Sequence, residues 1–190
     1  GTSNNIAWLV GHNSVRLVAG VTGHDVSEEQ MSKMERMIDE ALEAGAIGLS
    51  TGLEFDPGRS SSPEEITRLV KIVKKYDGIY TSHIRNRDAD ILGAVDEFLN
   101  VIRTHGIRGQ ISHLNIRYNT GAPEGAFEKC VQKIQSVRDE GFDVLTDMTP
   151  LNYGIGEATG ILPPWVRRDG IEKAVSMLND PKIRLRLRNE

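Results

Sequence analysis

Short apolar runs alternate along the chain with longer stretches of helical periodicity. Five runs have the near-continuous apolar character of strands that are covered on both faces. They span residues 6–10, 46–50, 79–83, 109–113 and 142–146. Strands of this kind are typical of parallel sheets, so the pattern predicts a five-stranded parallel sheet.

Four amphipathic patterns separate these runs and predict helices. Two of them open with capping-box sequences, at Ser27 and at Ser62. The other two cover about 90–104 and 124–139. The resulting order, β-α-β-α-β-α-β-α-β, favours right-handed crossovers within one sheet. Two architectures satisfy it: an open doubly wound sheet, or part of a (β/α)₈ barrel.

The alternation stops at Pro150. Residues 151–164 are rich in glycine and proline and predict a long loop or insertion. The remainder, 165–190, has a helical pattern that Asp180-Pro181 interrupts. We therefore expect a partial barrel at 1–150 and a loop and helical insertion at 151–190, both within one domain.

Composition excludes several classes of partner. The net charge of -4 is mild and no long basic run is present, so a nucleic-acid partner is not expected. The alternating basic stretch 182–188 has the pattern of a solvated helix end. No apolar run approaches the roughly 18 residues of a membrane span, and a membrane partner is not expected either. The one cysteine, Cys130, excludes an internal disulfide framework. These features predict a soluble, cytoplasmic protein.

Two successive predicted strands end in the dipeptide Ser-His, at His83 and His113. The carboxyl ends of consecutive parallel strands share one rim, where function gathers in such folds. Two neutral imidazoles side by side there form a natural half-site for Zn²⁺. Two alternatives remain open: both histidines fill the barrel mouth, or one is a general base without metal.

Other polar residues near the strand ends are weaker candidates. Asp147 closes the fifth run and is a candidate ligand, base or ligand partner, or a cap of the following loop. Arg85 follows His83 and is placed to hold a substrate carboxylate. His12 follows the first run and is a candidate for the same rim. Glu54 and Asp56 have the position of ordinary loop charges.

Several segments together resemble the N-acyl-D-amino-acid deacylase (D-aminoacylase) group of the amidohydrolase superfamily. They are Gly-Ala-Ile-Gly-Leu-Ser-Thr-Gly-Leu at 45–53, Tyr-Thr-Ser-His-Ile-Arg at 80–85, Ile-Ser-His-Leu at 111–114, and matching stretches at 10–16 and 162–165. The resemblance implies a metal-containing (β/α)₈ barrel. This chain would run from about strand three to strand seven of it.

The resemblance also implies roles. His83 and His113 fall on the two histidines that hold zinc, in enzymes that hydrolyse the amide bond of small N-acyl-D-amino acids. The group's His-x-His pair, its bridging cysteine or acid and its catalytic aspartate have no counterpart here. The segment alone is therefore expected to be inactive. A metal-free barrel enzyme and a non-catalytic remnant of the fold are the alternatives.

The positions that face the substrate depart from the group's pattern. A lysine that binds the substrate carboxylate in well-known members corresponds to Asn115, and a common tyrosine corresponds to Phe55. With Arg85, these are the expected substrate-binding residues. A partial barrel also exposes sheet edges, so a homodimer through those edges is expected.

Overall fold

In a computed structural model, the described residues are 4–116, 120–151, 162–167 and 171–189. The chain divides into two compact units, 1–149 and 150–190. The first unit holds one parallel sheet in the order β1-β2-β3-β4-β5. Its strands are Leu9–Gly11, Gly48–Gly52, Ile79–His83, Arg108–Ile111 and Val144–Thr146. The predicted sheet is confirmed.

The strand order decides between the two predicted architectures. A doubly wound sheet reverses its order at a switch point, whereas consecutive barrel strands pair one after another. All four strand pairs are parallel, and each joins neighbours in sequence. The sheet is therefore an arc of a (β/α)₈ barrel, as predicted.

Among the described residues of the first unit, five helices accompany the strands. They are α1 His12–Ala19, α2 Glu28–Glu43, α3 Pro63–Lys75, α4 Ile91–His105 and α5 Ala126–Asp139, with a short 3₁₀ turn at Gly58–Ser60. The last four match the predicted helices. Helix α1 was not predicted, because its buried face carries the polar residues His12 and Arg16 while Leu17 and Val18 are exposed. That arrangement inverts the pattern by which helices are recognised.

A buried polar cluster joins α1 to α3. The Glu65 carboxylate accepts hydrogen bonds from His12 Nε2 at 2.7 Å and from the Arg16 guanidinium at 2.5 Å, and all three side chains are buried.

This cluster corrects two predictions from the sequence. His12 does not join the other strand-end histidines, and the box at Ser62 is only half formed. Ser62 caps the Glu65 amide, but the Glu65 carboxylate turns inward to His12 and Arg16 instead of returning the bond.

The layer between sheet and helices fixes the strands that carry the two histidines. The Tyr80 ring on β3 stacks on Phe98 of α4 with a centroid distance of 5.2 Å. On β4, a Cβ atom at Gly109 would stand 2.3 Å from the Cδ1 atom of Ile102. A larger residue at this position would require the Ile102 and Phe98 side chains to shift. Strands β3 and β4 are thus held against the same helix.

In the described part of the second unit lie three short helices, α6 Pro164–Arg167, α7 Ile171–Leu178 and α8 Pro181–Asn189. The predicted interruption at Asp180-Pro181 separates α7 from α8. The Arg186 guanidinium lies 3.9 Å from the centroid of the Trp165 ring. Most of the loop predicted for 151–164 lies outside the described residues. No helix in the described ranges is long and apolar enough to cross a membrane.

Candidate metal centre

His83 and His113 face each other at the carboxyl ends of β3 and β4. The Nδ1 atom of His83 lies 3.1 Å from the Nε2 atom of His113, and the two rings meet edge to face. Both side chains are partly buried. Their proximity was predicted from their positions after two successive strands. In the structure it follows from the register, in which Ser82 of β3 pairs with Ile111 of β4.

His113 lies beyond its strand and not at its end, which corrects the predicted boundary. Strand β4 stops at Ile111, and His113 adopts a left-handed backbone with φ of 38°. This conformation is uncommon for a side chain other than glycine, although histidine is among the residues enriched there. Such a backbone is often retained at functional sites, where surrounding contacts enforce it.

Asp147 supplies one of those contacts. Its Oδ1 atom accepts a hydrogen bond from the His113 amide, and its Oδ2 atom accepts one from the Gln110 side chain at 2.6 Å. The Leu114 amide also donates to the Asp147 carbonyl at 2.8 Å. These contacts fit the predicted role of a ligand partner, because Asp147 positions His113 by binding its backbone amide.

Glu54 contacts the outer nitrogen of His83. Its Oε2 atom lies 2.6 Å from His83 Nε2, and Glu54 is only 5% exposed. The interpretation of Glu54 as an ordinary loop charge is therefore wrong. A carboxylate on the second nitrogen of an imidazole fixes its tautomer and ring orientation, which is the usual arrangement around metal-binding histidines. It leaves Nδ1 of His83 directed at His113.

The loop after β2 brings Glu54 and Phe55 to His83. The Leu53 amide donates to the His83 carbonyl at 3.0 Å, which continues the β2–β3 ladder into the loop. The Phe55 ring then packs edge-on against the His83 ring at 4.6 Å. The predicted substrate residue Phe55 therefore lies beside the histidine pair.

The other two predicted substrate residues have protein partners. The Arg85 guanidinium makes a bidentate ion pair with Glu97, at 2.8 Å for each bond, and donates to the carbonyls of Arg59 and Ser61. The Asn115 side-chain oxygen accepts a bond from the Thr149 amide at 3.2 Å. A substrate contact by either residue stays a prediction, and Arg85 is strongly engaged in holding the 3₁₀ turn.

Arg87 is a site residue that the sequence reasoning missed. Its Nη1 atom lies 3.4 Å from His113 Nδ1, and its Nη2 atom lies 3.1 Å from Glu54 Oε2. No sequence pattern pointed to Arg87 as a site residue. It lies four residues after His83, in a loop without periodic spacing that would show which side chains face the site. The described site thus consists of two histidines, one carboxylate and one guanidinium.

The histidine pair fits a metal ion as half of its ligand set. Two ligands at about 2.1 Å from a tetrahedral zinc stand about 3.4 Å apart, close to the 3.1 Å between the facing nitrogens. Burial, followed by the neighbouring His83, lowers the pKa of His113, which favours the neutral imidazole that a metal needs. Within the described ranges, no group of three or more His, Cys, Asp or Glu side chains is arranged to hold a metal.

Comparison with known proteins finds relatives of one kind. No family model matches the chain. An N-acyl-D-glutamate deacylase from Alcaligenes xylosoxydans xylosoxydans is 36% identical over 160 residues, which cover 84% of this chain and 32% of that protein. A D-aminoacylase from the same organism is 31% identical over 110 residues, covering 57% of this chain and 23% of that protein.

A solved structure agrees with these relatives. The N-acyl-D-glutamate deacylase from Bordetella bronchiseptica, complexed with zinc and a phosphonate mimic of the tetrahedral intermediate, superposes with a TM-score of 0.72 at 32% identity. The match covers 77% of this chain and 31% of that one. The resemblance predicted from the sequence motifs is confirmed. The chain spans about a third or less of the length of the relatives it matches.

Proposed function

We propose that this chain is the central part of a zinc-dependent amidohydrolase of the N-acyl-D-amino-acid deacylase group. The observation that carries the proposal is the pairing of His83 Nδ1 with His113 Nε2 at the ends of adjacent strands. The similar deacylase solved with zinc supports the identity of the metal. The substrate is proposed to be a small N-acyl-D-amino acid.

In this proposal His83 and His113 hold the zinc, and Glu54 orients His83. Zinc, when bound, acts as a Lewis acid that polarises the scissile carbonyl and increases the acidity of the attacking water. The residues of this chain supply the position of the metal and a partly buried setting, in which electrostatic interactions are stronger than in water. The proton transfer is assigned to an aspartate elsewhere, as the resemblance implies.

The proposed substrate contacts lie in the three loops that follow β2, β3 and β4. Phe55 presents an apolar face beside His83. Asn115 follows His113 by two residues, at the position where the resemblance implies a lysine, and its side-chain oxygen accepts a bond from the Thr149 amide. Arg85 remains a proposed carboxylate contact, although its bonds with Glu97 compete with that role. The cytoplasm remains the proposed compartment.

Zinc content tests the proposal. Equilibrium dialysis of the purified chain against zinc, with the metal counted by elemental analysis, should show bound zinc in the wild type and loss of it in His83→Ala and His113→Ala. His24→Ala is the matched control, since His24 is exposed in a loop. The proposal fails if the wild type holds no zinc, or if all three variants retain it equally.

Activity requires the parts that this chain lacks. We infer that the 190-residue chain releases no D-glutamate from N-acetyl-D-glutamate even when it holds zinc. A polypeptide that also carries the His-x-His strand and the aspartate strand should release it, and a chelator should abolish the reaction. Hydrolysis by the chain alone would contradict the assignment of the base to another segment.

One observation favours a second candidate, a metal-free barrel enzyme. The 2.6 Å contact between Glu54 and His83 is also the arrangement of a general base oriented by a carboxylate. Such an enzyme would keep its activity in the presence of a chelator. If the longer polypeptide hydrolyses N-acetyl-D-glutamate in the presence of a chelator, and if His83→Ala and Glu54→Gln each abolish that activity, the metal-free enzyme is favoured over the zinc hydrolase.

A further inference from the structure

Arg87 contacts both His113 and Glu54, and it shares the Oε2 atom of Glu54 with His83. Its guanidinium touches His113 Nδ1 at 3.4 Å and contacts Glu54 Oε2 through Nε at 3.4 Å and Nη2 at 3.1 Å. Its side chain is 17% exposed. A cation therefore stands against one of the two proposed metal ligands, although a divalent metal is the expected occupant.

The hydrogen bonds of this cluster run in one direction. A guanidinium only donates, so its contact with His113 is a hydrogen bond when Nδ1 of that ring carries a lone pair. The ring proton then lies on Nε2 and points at the acceptor Nδ1 of His83. The other proton, on His83 Nε2, points at the Glu54 carboxylate. The donors run from Arg87 through the two imidazoles to Glu54.

This arrangement and a bound metal exclude each other. A metal ligand must offer a lone pair, but in the chain of bonds the Nε2 atom of His113 carries a proton. Binding at Nε2 requires the proton to reside on Nδ1, where it would face another donor, the Arg87 guanidinium. The positive charge of Arg87 also opposes the approach of a cation.

We propose that Arg87 restrains metal binding by holding His113 in the tautomer that cannot ligate, so that the pair accepts zinc only when Arg87 leaves His113. The inference rests on the proposed metal site. It assigns Arg87 a role opposite to that of Glu54: the carboxylate prepares His83 for the metal, and the guanidinium holds His113 away from it. The apparent zinc affinity is then set by the release of one hydrogen bond.

Zinc affinity of the whole 190-residue chain, measured by competition with a chromophoric chelator, tests this role. Arg87→Gln should bind zinc at least tenfold more tightly than the wild type. Arg87→Lys keeps the charge but not the planar group, and should lie between the two. Arg103→Gln is the matched control, because Arg103 also pairs with a carboxylate, Glu140, but on an exposed surface. Equal or weaker binding by Arg87→Gln overturns the inference.

A second measurement does not depend on the metal. Nitrogen NMR of the histidine rings in the zinc-free chain reports which nitrogen carries the proton. The Nε2–H form of His113 should predominate in the wild type and decline in Arg87→Gln, with unchanged circular dichroism as evidence of folding. Predominance of the Nδ1–H form in the wild type would overturn the inference.

The two proposals fail in distinguishable ways. Loss of zinc in His83→Ala together with unchanged affinity in Arg87→Gln would remove the restraint by Arg87 and keep the metal site. Absence of zinc binding from the wild type and from every Arg87 variant would remove the metal site, and the inference with it.

Discussion

Glu54 Oε2 lies 2.6 Å from His83 Nε2, on the opposite side of the imidazole from the nitrogen that faces His113. One carboxylate thus determines which nitrogen of His83 is available. The contact joins a loop after β2 to the end of β3, because Gly52 and His83 are register partners in the sheet. The geometry of the metal pair therefore depends on a residue outside the two strands that carry it.

Replacing Glu54 tests this dependence. Glu54→Gln should lower the zinc affinity of the chain by about 10-fold to 100-fold, the range typical for partners of metal-binding histidines. The amide keeps the size of the side chain but loses the charge that favours a proton on Nε2. Asp56→Asn, two residues away and largely exposed, should bind zinc as the wild type does. Equal affinities in the two variants would contradict the role of Glu54.

Arg85 is expected to stabilise the fold through its ion pair and carbonyl contacts. Arg85→Ala should reduce the free energy of unfolding in urea by about 2 kcal/mol, since hydrogen bonds to charged groups contribute about 1.5 to 3 kcal/mol. Arg103→Ala removes an exposed pair with Glu140 and should cost less than about 1 kcal/mol. An Arg85→Ala variant as stable as the wild type would favour the substrate contact over the structural one.

Tyr80 should make the stability of the chain depend on alkaline pH. Burial raises the pKa of Tyr80 to about 12 from 10.0, so the unfolded chain ionises first. Its contribution to stability is complete below pH 10 and is lost as the pH rises through 12, by a total of about 3 kcal/mol. Urea unfolding between these pH values should show a slope that Tyr80→Phe reduces, and an unchanged slope in that variant would contradict the prediction.

The sheet edges are expected to drive self-association. In the described part of the sheet, β1 and β5 each pair on one side only, and Trp8 and Leu145 are 68% and 54% exposed there. Light scattering should detect dimers or larger species whose population increases with concentration. Leu145→Lys should reduce association, because a charge on an edge strand opposes pairing. The control Leu185→Lys, at an exposed position on α8, should not. A wild-type monomer at all concentrations would contradict the prediction.

The parts of the fold that periodic patterns encode could be predicted from the sequence. The strand end at His83 and the capping box at Ser27 are local signals that the structure contains, whereas His113 lies two residues beyond the end of β4. Glu54, Arg87 and the buried Glu65 cluster gave no such signal. Their partners lie 29, 33 and 49 residues away in sequence, and a charge buried by tertiary contacts resembles a surface charge when only its neighbours in sequence are known.

The position of a bound zinc ion is the most direct test of whether His83 and His113 hold the metal. Crystals of the chain soaked with zinc and measured on both sides of the zinc absorption edge would locate the ion by its anomalous scattering. We expect a peak shared by His83 Nδ1 and His113 Nε2, with Arg87 moved away from His113. A zinc-loaded crystal without a peak between these two nitrogens, or with its peak on other side chains, would contradict it.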